Sequence, residues 1–420
     1  MGEIIDVDSH VYEPGAIWDD YLPAPDRERA SRAFRHSIDD AGNELTILNG
    51  HDAKGLNRTR LVRQAIWKPG MTVDDIGELD PDAFQPLNPG AADATARLED
   101  MDAMGVTQAV VYPTLFTEYL PQVDDPEAAA LLARAYNDWV WDMTSAAEGR
   151  LHPVAVLALQ SPDLAREELE RVAAKGFKSA LMRPAFYTVP NAEDSYGHTL
   201  GRMMAAAVGG GNPGNVAVFV EDKPLRTVWD RISELGLVAC VHPSLGITSP
   251  DATSHGGFAE RVSDRLGIAH TVAEPIAYMQ DADLFVTAAM YHGLFEDLPD
   301  LRVAIAHSGT TWVPLALEKA ETYLWLGGLG SVAVCLEPEE VWDRHPVVVS
   351  FDSWERPVAR MPDIFAAKAA WGSRYPHHDA AGPDEARRML EDHGVDQAII
   401  DRMLGGNAAD LFGLSVGAPA

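Results

Sequence analysis

The stretch HPVAVLALQSPDLAREELERVAAKG, residues 152–176, decides the fold. Its first part, His152–Leu159, is a continuous apolar run, as expected of a strand buried on both faces. The part that follows, DLAREELERVAAKG, carries apolar residues at helical spacing. Strand then helix is the repeating unit of a parallel sheet, and the unit recurs along the chain. Ile4 and Ile5 lead into Asp6-Val7-Asp8-Ser9-His10, Thr107–Tyr112 ends at Pro113, and Ser179–Met182 leads to Arg183. Leu237–Val241 leads to His242, Arg302–Ala306 to His307, Pro346–Phe351 to Asp352, and Ala370–Ser373 to Arg374. Eight such units fit a closed (β/α)8 TIM barrel better than an open sheet, and a barrel places its chemistry at the C-terminal strand ends. Polar residues stand at those ends here.

At 420 residues and 46% hydrophobic, the chain buries a large core without disulfides or structural metals. No internal repeat or long linker divides it, so one domain over residues 1–420 is expected, with lid insertions at about 36–95, 190–224 and 246–282. The last of these carries His255 and His270, and the second contains GGGNPGN, residues 209–215. That glycine run lacks both GxGxxG spacing and a following Lys-Ser/Thr, so it reads as a loop rather than a phosphate cradle.

The formal net charge is −31, which disfavours nucleic acid and anionic membrane partners. An anionic substrate therefore needs a local positive centre, either a metal or an arginine. Cys240 and Cys335 are the only cysteines, too few for a disulfide framework or a thiolate metal site. No basic-then-apolar leader and no run of 18 apolar residues is present, which predicts a cytoplasmic protein; we expect a small-molecule substrate and a homodimer.

Asp8 and His10, at i and i+2, point to the same face of the first strand, at the barrel mouth. A carboxylate and an imidazole converging there suit a divalent metal. Glu13, just beyond, is placed to anchor the loop. His242 and His307 each follow an apolar run directly. Either alone reads as structural; three histidines at strand ends of one barrel converge on its mouth and read as a site.

Several segments resemble the amidohydrolase-related family of aminocarboxymuconate-semialdehyde decarboxylase and γ-resorcylate decarboxylase, within the metal-dependent hydrolase superfamily. They are DVDSHVYEP (6–14), RLEDMDAMGV (97–106), AYNDW (135–139), RLHPVAVLALQSP (150–162), GFKSALMRP (176–184), CVHPS (240–244), AHSGTTWVPLALEKAE (306–321) and GGNAADLFGL (405–414). The resemblance implies a distorted barrel holding zinc or manganese through Asp8, His10 and His242, with His307 as acid or base. It also implies an Asp ligand after strand eight. Where the family reads Gly-Ser-Asp-Tyr-Pro-His, this chain reads Gly372-Ser373-Arg374-Tyr375-Pro376-His377.

That substitution puts the metal in question. A guanidinium about 5 Å from a dication is repelled by about 6–7 kcal/mol at an effective dielectric near 20. Three arrangements remain open. Arg374 turns outward to hold a substrate carboxylate; or Asp352, Glu355 or Asp379 offsets its charge; or Arg374 pairs with Asp8 in place of a metal.

Other residues stand near the expected mouth. Asp352 and Glu355 are acid/base candidates, Arg183 and His377 substrate contacts, and His378 a surface residue. NRTRLVR, residues 57–63, lies where related enzymes supply a substrate arginine, and Phe186, Trp354 and Tyr375 are candidate walls for a planar ligand. The leading expectation is an enzyme acting on a small carboxylated, aromatic molecule by decarboxylation or hydrolysis, with His307 supplying the proton. The rival is a metal-free barrel that binds a metabolite or partner without catalysis.

Overall fold

The computed structural model describes residues 2–38, 44–52, 65–80, 85–183, 186–188, 216–218, 223–243, 274–326 and 338–415. Eight parallel strands make one sheet in chain order: β1 Ile5–His10, β2 Gln108–Tyr112, β3 Leu151–Ala155, β4 Ser179–Met182, β5 Val238–Val241, β6 Arg302–Ile305, β7 Val347–Phe351 and β8 Ala369–Trp371. Helices follow most strands, among them α1 Ala94–Met104, α2 Pro126–Ser145, α3 Pro162–Lys175, α4 Lys223–Glu234, α5 Glu274–Tyr291 and α6 Trp312–Leu326. This is the expected (β/α)8 barrel.

The helices begin and end where local chemistry dictates. Ser161 caps α3 by accepting the Leu164 N–H, Pro162 needs no donor in the first turn, and Gly176 ends the helix at φ +111°. Asp125 caps α2 in the same way, and that helix buries Leu132, Tyr136, Val140 and Met143 toward the sheet.

Strand β3 ends at Ala155, four residues before the apolar run does. The reason is Asn137 of α2. Its side chain accepts the Val156 N–H at 2.8 Å and donates to the Val156 carbonyl at 3.0 Å, taking the place of a neighbouring strand. The first insertion carries a three-stranded antiparallel sheet, Phe34–Ile38, Glu44–Leu48 and His51–Asp52. In the ranges of the other two, α4 starts at Lys223 and α5 at Glu274. Residues 57–63 and 209–215, His255, His270 and Cys335 lie outside the described residues.

Closure of the barrel rests on β1 meeting β8. The Arg374 N–H donates to the Asp8 carbonyl at 2.8 Å, and the His10 N–H donates to the Tyr375 carbonyl at 2.6 Å. Asp6, buried in the seam, accepts the Ser373 N–H at 2.9 Å and the Ser373 hydroxyl at 2.5 Å. Gly372 makes the approach feasible: a Cβ built on it lies 2.6 Å from the Asp8 Cβ. We expect Gly372→Ala to destabilise the fold by roughly 1–3 kcal/mol in urea unfolding, because neither backbone can yield without breaking the seam. An unchanged midpoint would show the seam to be loose.

Candidate active site

Asp8 and His10 are fixed from behind before any ligand arrives. Arg97, fully buried on α1, donates to the Ser9 hydroxyl at 2.9 Å, the Gly90 carbonyl at 2.9 Å and the His10 carbonyl, and lies over the Tyr375 ring. Glu13 anchors the chain leaving β1. Its carboxylate accepts the backbone N–H groups of Thr114, Leu115 and Phe116, which open the short helix after β2.

The side chains of Asp8, His10 and His242 then converge. One ligand atom from each lies within 4.8 Å of the others, and all three residues are buried. His10 Nδ1 faces the Pro113 carbonyl at 3.0 Å, and His242 Nδ1 faces the Pro243 carbonyl at 2.6 Å. A carbonyl oxygen only accepts, so each Nδ1 carries its proton. Each Nε2 is thereby aimed inward. His10 Nε2 lies 3.1 Å from Asp8 Oδ1, and His242 Nε2 lies 4.0 Å from the same oxygen.

Burial drives the His242 pKa down to about 3, so its Nε2 is a bare lone pair, and it has no hydrogen-bond partner. Burial also pushes against ionisation of Asp8, but the His10 hydrogen bond and the charges around it outweigh that and hold its pKa at about 2. An anion and two imidazole nitrogens facing one point need a positive charge there: a proton shared by Asp8 and His10, or a metal ion. Zinc-type ligand bonds of about 2.0–2.2 Å place neighbouring donors about 3–4 Å apart, close to the spacing found. The donor set therefore fits a divalent metal.

Around this triad stand His307, Arg374, His377 and Asp352. His307, at φ +53° after β6, is tied by its N–H to the Ser350 hydroxyl at 2.9 Å; its ring lies 5.5 Å from that of His242 and 4.2 Å from that of Tyr278. Burial, then the charge of Arg374, holds its pKa well below the usual value, so it is a neutral imidazole at neutral pH. The His377 ring lies 4.6 Å from His10, and its Nε2 contacts the Thr114 hydroxyl at 3.1 Å. That hydroxyl spends its proton on the Val11 carbonyl, so His377 is the donor.

Of the three arrangements for Arg374, the side chain adopts the second. It donates through Nε to Asp379 Oδ2 at 3.1 Å and through Nη2 to Asp379 Oδ1 at 3.4 Å, and only its backbone N–H bonds to Asp8. Pairing of the guanidinium with Asp8 is not found. The left-handed backbone at Arg374, φ +63°, commits the residue's N–H to the seam and its side chain to the opposite acid. Asp352, half-buried after β7, has its pKa raised to about 8, first by burial and then by Glu355, against the pull of Arg374. Glu355 is itself occupied, accepting the Thr310 hydroxyl at 2.6 Å and the Asp352 N–H at 3.3 Å.

Arg183 is buried and donates to the Thr117 carbonyl at 2.8 Å, with its charge beside Glu118. Tyr375 is buried too, donating to Asp100 at 2.6 Å; it supports Arg97 and is not a pocket wall. Trp354 is 45% exposed on the loop after β7, His378 is half-buried, and Phe186 is in a short strand, Phe186–Thr188. Sequence reasoning missed Arg97, Tyr112, Thr114 and Tyr278. Tyr112, the last residue of β2, packs 5.8 Å from the His10 ring and 5.5 Å from that of His242, and only its place at a strand end signals this.

Comparison with known proteins gives the same reading of the frame. γ-Resorcylate decarboxylase of Rhodococcus jostii (strain RHA1) is 24% identical over 214 residues, 51% of this chain; the match spans 55% of that relative, little more than half its length. An amidohydrolase structure from Mycobacterium avium subsp. paratuberculosis K-10 superposes with a TM-score of 0.72 at 20% identity, covering 99% of both chains. A dihydroxybenzoic acid decarboxylase from Polaromonas sp. JS666, solved with manganese and the inhibitor 2-nitroresorcinol, superposes at 0.61 and 16% identity over 99% of this chain and 98% of that one. Among the described residues no helix is long and apolar enough to cross a membrane. The amidohydrolase family profile matches residues 5–414, and the chain belongs to that family.

Proposed function

We propose that this protein is a metal-dependent decarboxylase of a small aromatic carboxylate, with a divalent cation held by Asp8, His10 and His242. The observation that carries the reading is the pair of inward Nε2 atoms whose rings have already spent their Nδ1 protons on carbonyls, facing one buried carboxylate oxygen. The relatives named as decarboxylases, one of them holding manganese, support both the metal and the reaction class. A cation bound there supplies positive charge for a substrate carboxylate or phenol oxygen in a protein of net charge −31.

The chain's own groups divide the remaining work. Arg374 gives two of its donors to Asp379, which leaves the Nη1 edge for an anionic substrate oxygen. Loss of CO2 leaves electrons on the ring carbon, and that carbon must take up a proton. His307 was the expected donor, but as a neutral imidazole it suits the accepting role, drawing a proton from a substrate hydroxyl. Asp352 is protonated at neutral pH and suits the donating role. His377, donating to Thr114, orients its other ring nitrogen as an acceptor for the substrate.

Mn2+ titration tests the metal. We expect saturable binding by the wild type, and His10→Ala or His242→Ala to bind more weakly by more than the roughly tenfold to hundredfold cost of losing an outer-sphere contact, with unfolding unchanged. Wild-type protein that binds no Mn2+ or Zn2+ returns the chain to the metal-free alternative.

The proton assignment makes a separate prediction, read as CO2 release from 2,6-dihydroxybenzoate or 5-carboxyvanillate, the substrates for which two decarboxylases of similar fold are named. A raised carboxyl pKa means the acid form persists below that pKa and is lost above it. Activity therefore falls as pH rises through about 8, or lower once the triad is loaded, and Asp352→Asn removes that limb together with most of kcat. A high-pH limb unchanged in Asp352→Asn would assign the proton to another group.

A further inference from the structure

We propose that Asp379 is a positioning residue: it keeps the Asp8–His10–His242 triad open to a metal by holding the Arg374 guanidinium away from Asp8. This rests on the metal reading of the triad.

The backbone of Arg374 has no freedom to solve the problem by moving. Its N–H is bound to the Asp8 carbonyl at 2.8 Å, and its own carbonyl accepts the His377 N–H at 2.8 Å. It also sits at φ +63°, a conformation that a non-glycine residue keeps only when its surroundings impose it. Only the direction of the side chain remains open. With that side chain 9% exposed, the guanidinium cannot escape into water and must find an anion nearby.

Besides Asp352, whose charge also acts on the guanidinium, two candidates are in reach. Asp8 is one, since the main chains of the two residues are hydrogen-bonded and the charges act on each other. Asp379 is the other, and it wins: it offers both carboxylate oxygens to Nε and Nη2 in a forked pair. A monodentate grip would leave the guanidinium free to pivot, whereas the forked pair fixes its plane.

The competition matters because Asp8 Oδ1 is the oxygen that both His10 and His242 face. Arg374 pairing with that oxygen would occupy the metal's own donor and add a repelling charge beside it. The chain thus carries an arginine at its metal-site rim only because an acid five residues later holds it aside.

The test is Mn2+ titration of the whole protein, with free Mn2+ read by electron paramagnetic resonance. Four forms are compared: wild type, Asp379→Asn, Arg374→Gln and the double variant. An asparagine has the size of the acid without the charge, so the freed guanidinium turns to Asp8. Asp379→Asn should bind Mn2+ at least about tenfold more weakly, a threshold equivalent to about 1.4 kcal/mol. Arg374→Gln should bind at least as tightly as wild type.

The double variant separates positioning from damage. With no guanidinium to release, it should recover wild-type affinity; a loop merely deformed by the loss of Asp379 would leave it as weak as the single variant. Equal affinity of wild type and Asp379→Asn overturns the proposal, as does failure of the double variant to recover. Absence of Mn2+ binding by the wild type overturns the metal reading and this inference with it.

Discussion

Everything at the mouth of this barrel depends on the seam where β8 meets β1. A barrel strand normally finds its partner through a ladder of backbone bonds, but β8 is only three residues long, Ala369–Trp371. The contact is completed just beyond its end, where Arg374 and Tyr375 bond to Asp8 and His10 through main-chain groups. The residues that close the barrel are thus the ones that bear the site. Gly372 is the enabling residue, because the Asp8 side chain occupies the space a larger residue would need. Asp6 adds a side-chain lock, receiving two donors from Ser373 and the Asp8 N–H.

This coupling explains how the site tolerates its unusual charge balance. Where the family resemblance implies a metal-binding carboxylate stands a permanent cation, yet the cation's main chain still serves closure. Its charge is met by Asp379 and felt by Asp352, His307 and His377 as well. The consequences run in opposite directions on the two sides of the mouth. His242, His307 and His377 are held neutral, which suits proposed ligation by the first and proton acceptance by the others. Asp352, half-buried beside Glu355, keeps its proton in spite of the arginine's pull. The proposed acid and base roles are thereby separated by environment rather than by residue type.

The second layer follows from the same need to bury polar groups only with partners. Arg97 is an arginine in the core, and three acceptors around β1 and the turn at Gly90, together with the Tyr375 ring face, receive it. Glu13 does the corresponding work for the loop after β2, gathering the open N–H groups at a helix start. Neither touches a triad side chain, and both fix the backbone on which the triad stands.

The sequence by itself determined the periodic features: eight apolar runs, the helices between them, the Asp8-x-His10 pair on one face of β1, and histidines directly after β5 and β6. These are legible because strand and helix periods, and the rule that barrel chemistry lies at C-terminal strand ends, act over a few residues. Tertiary structure alone decided which acid Arg374 meets. Asp352, Glu355, Asp379 and Asp8 all stand at the barrel mouth, and the choice among them is made by a left-handed backbone at Arg374 and the geometry of the seam. It likewise decided that Asn137 ends β3, that Tyr375 faces Arg97, and that Tyr112 and Tyr278 flank the histidines. These pairings join residues far apart in the chain, and a contact set by how elements pack leaves no periodic mark for sequence reading to find.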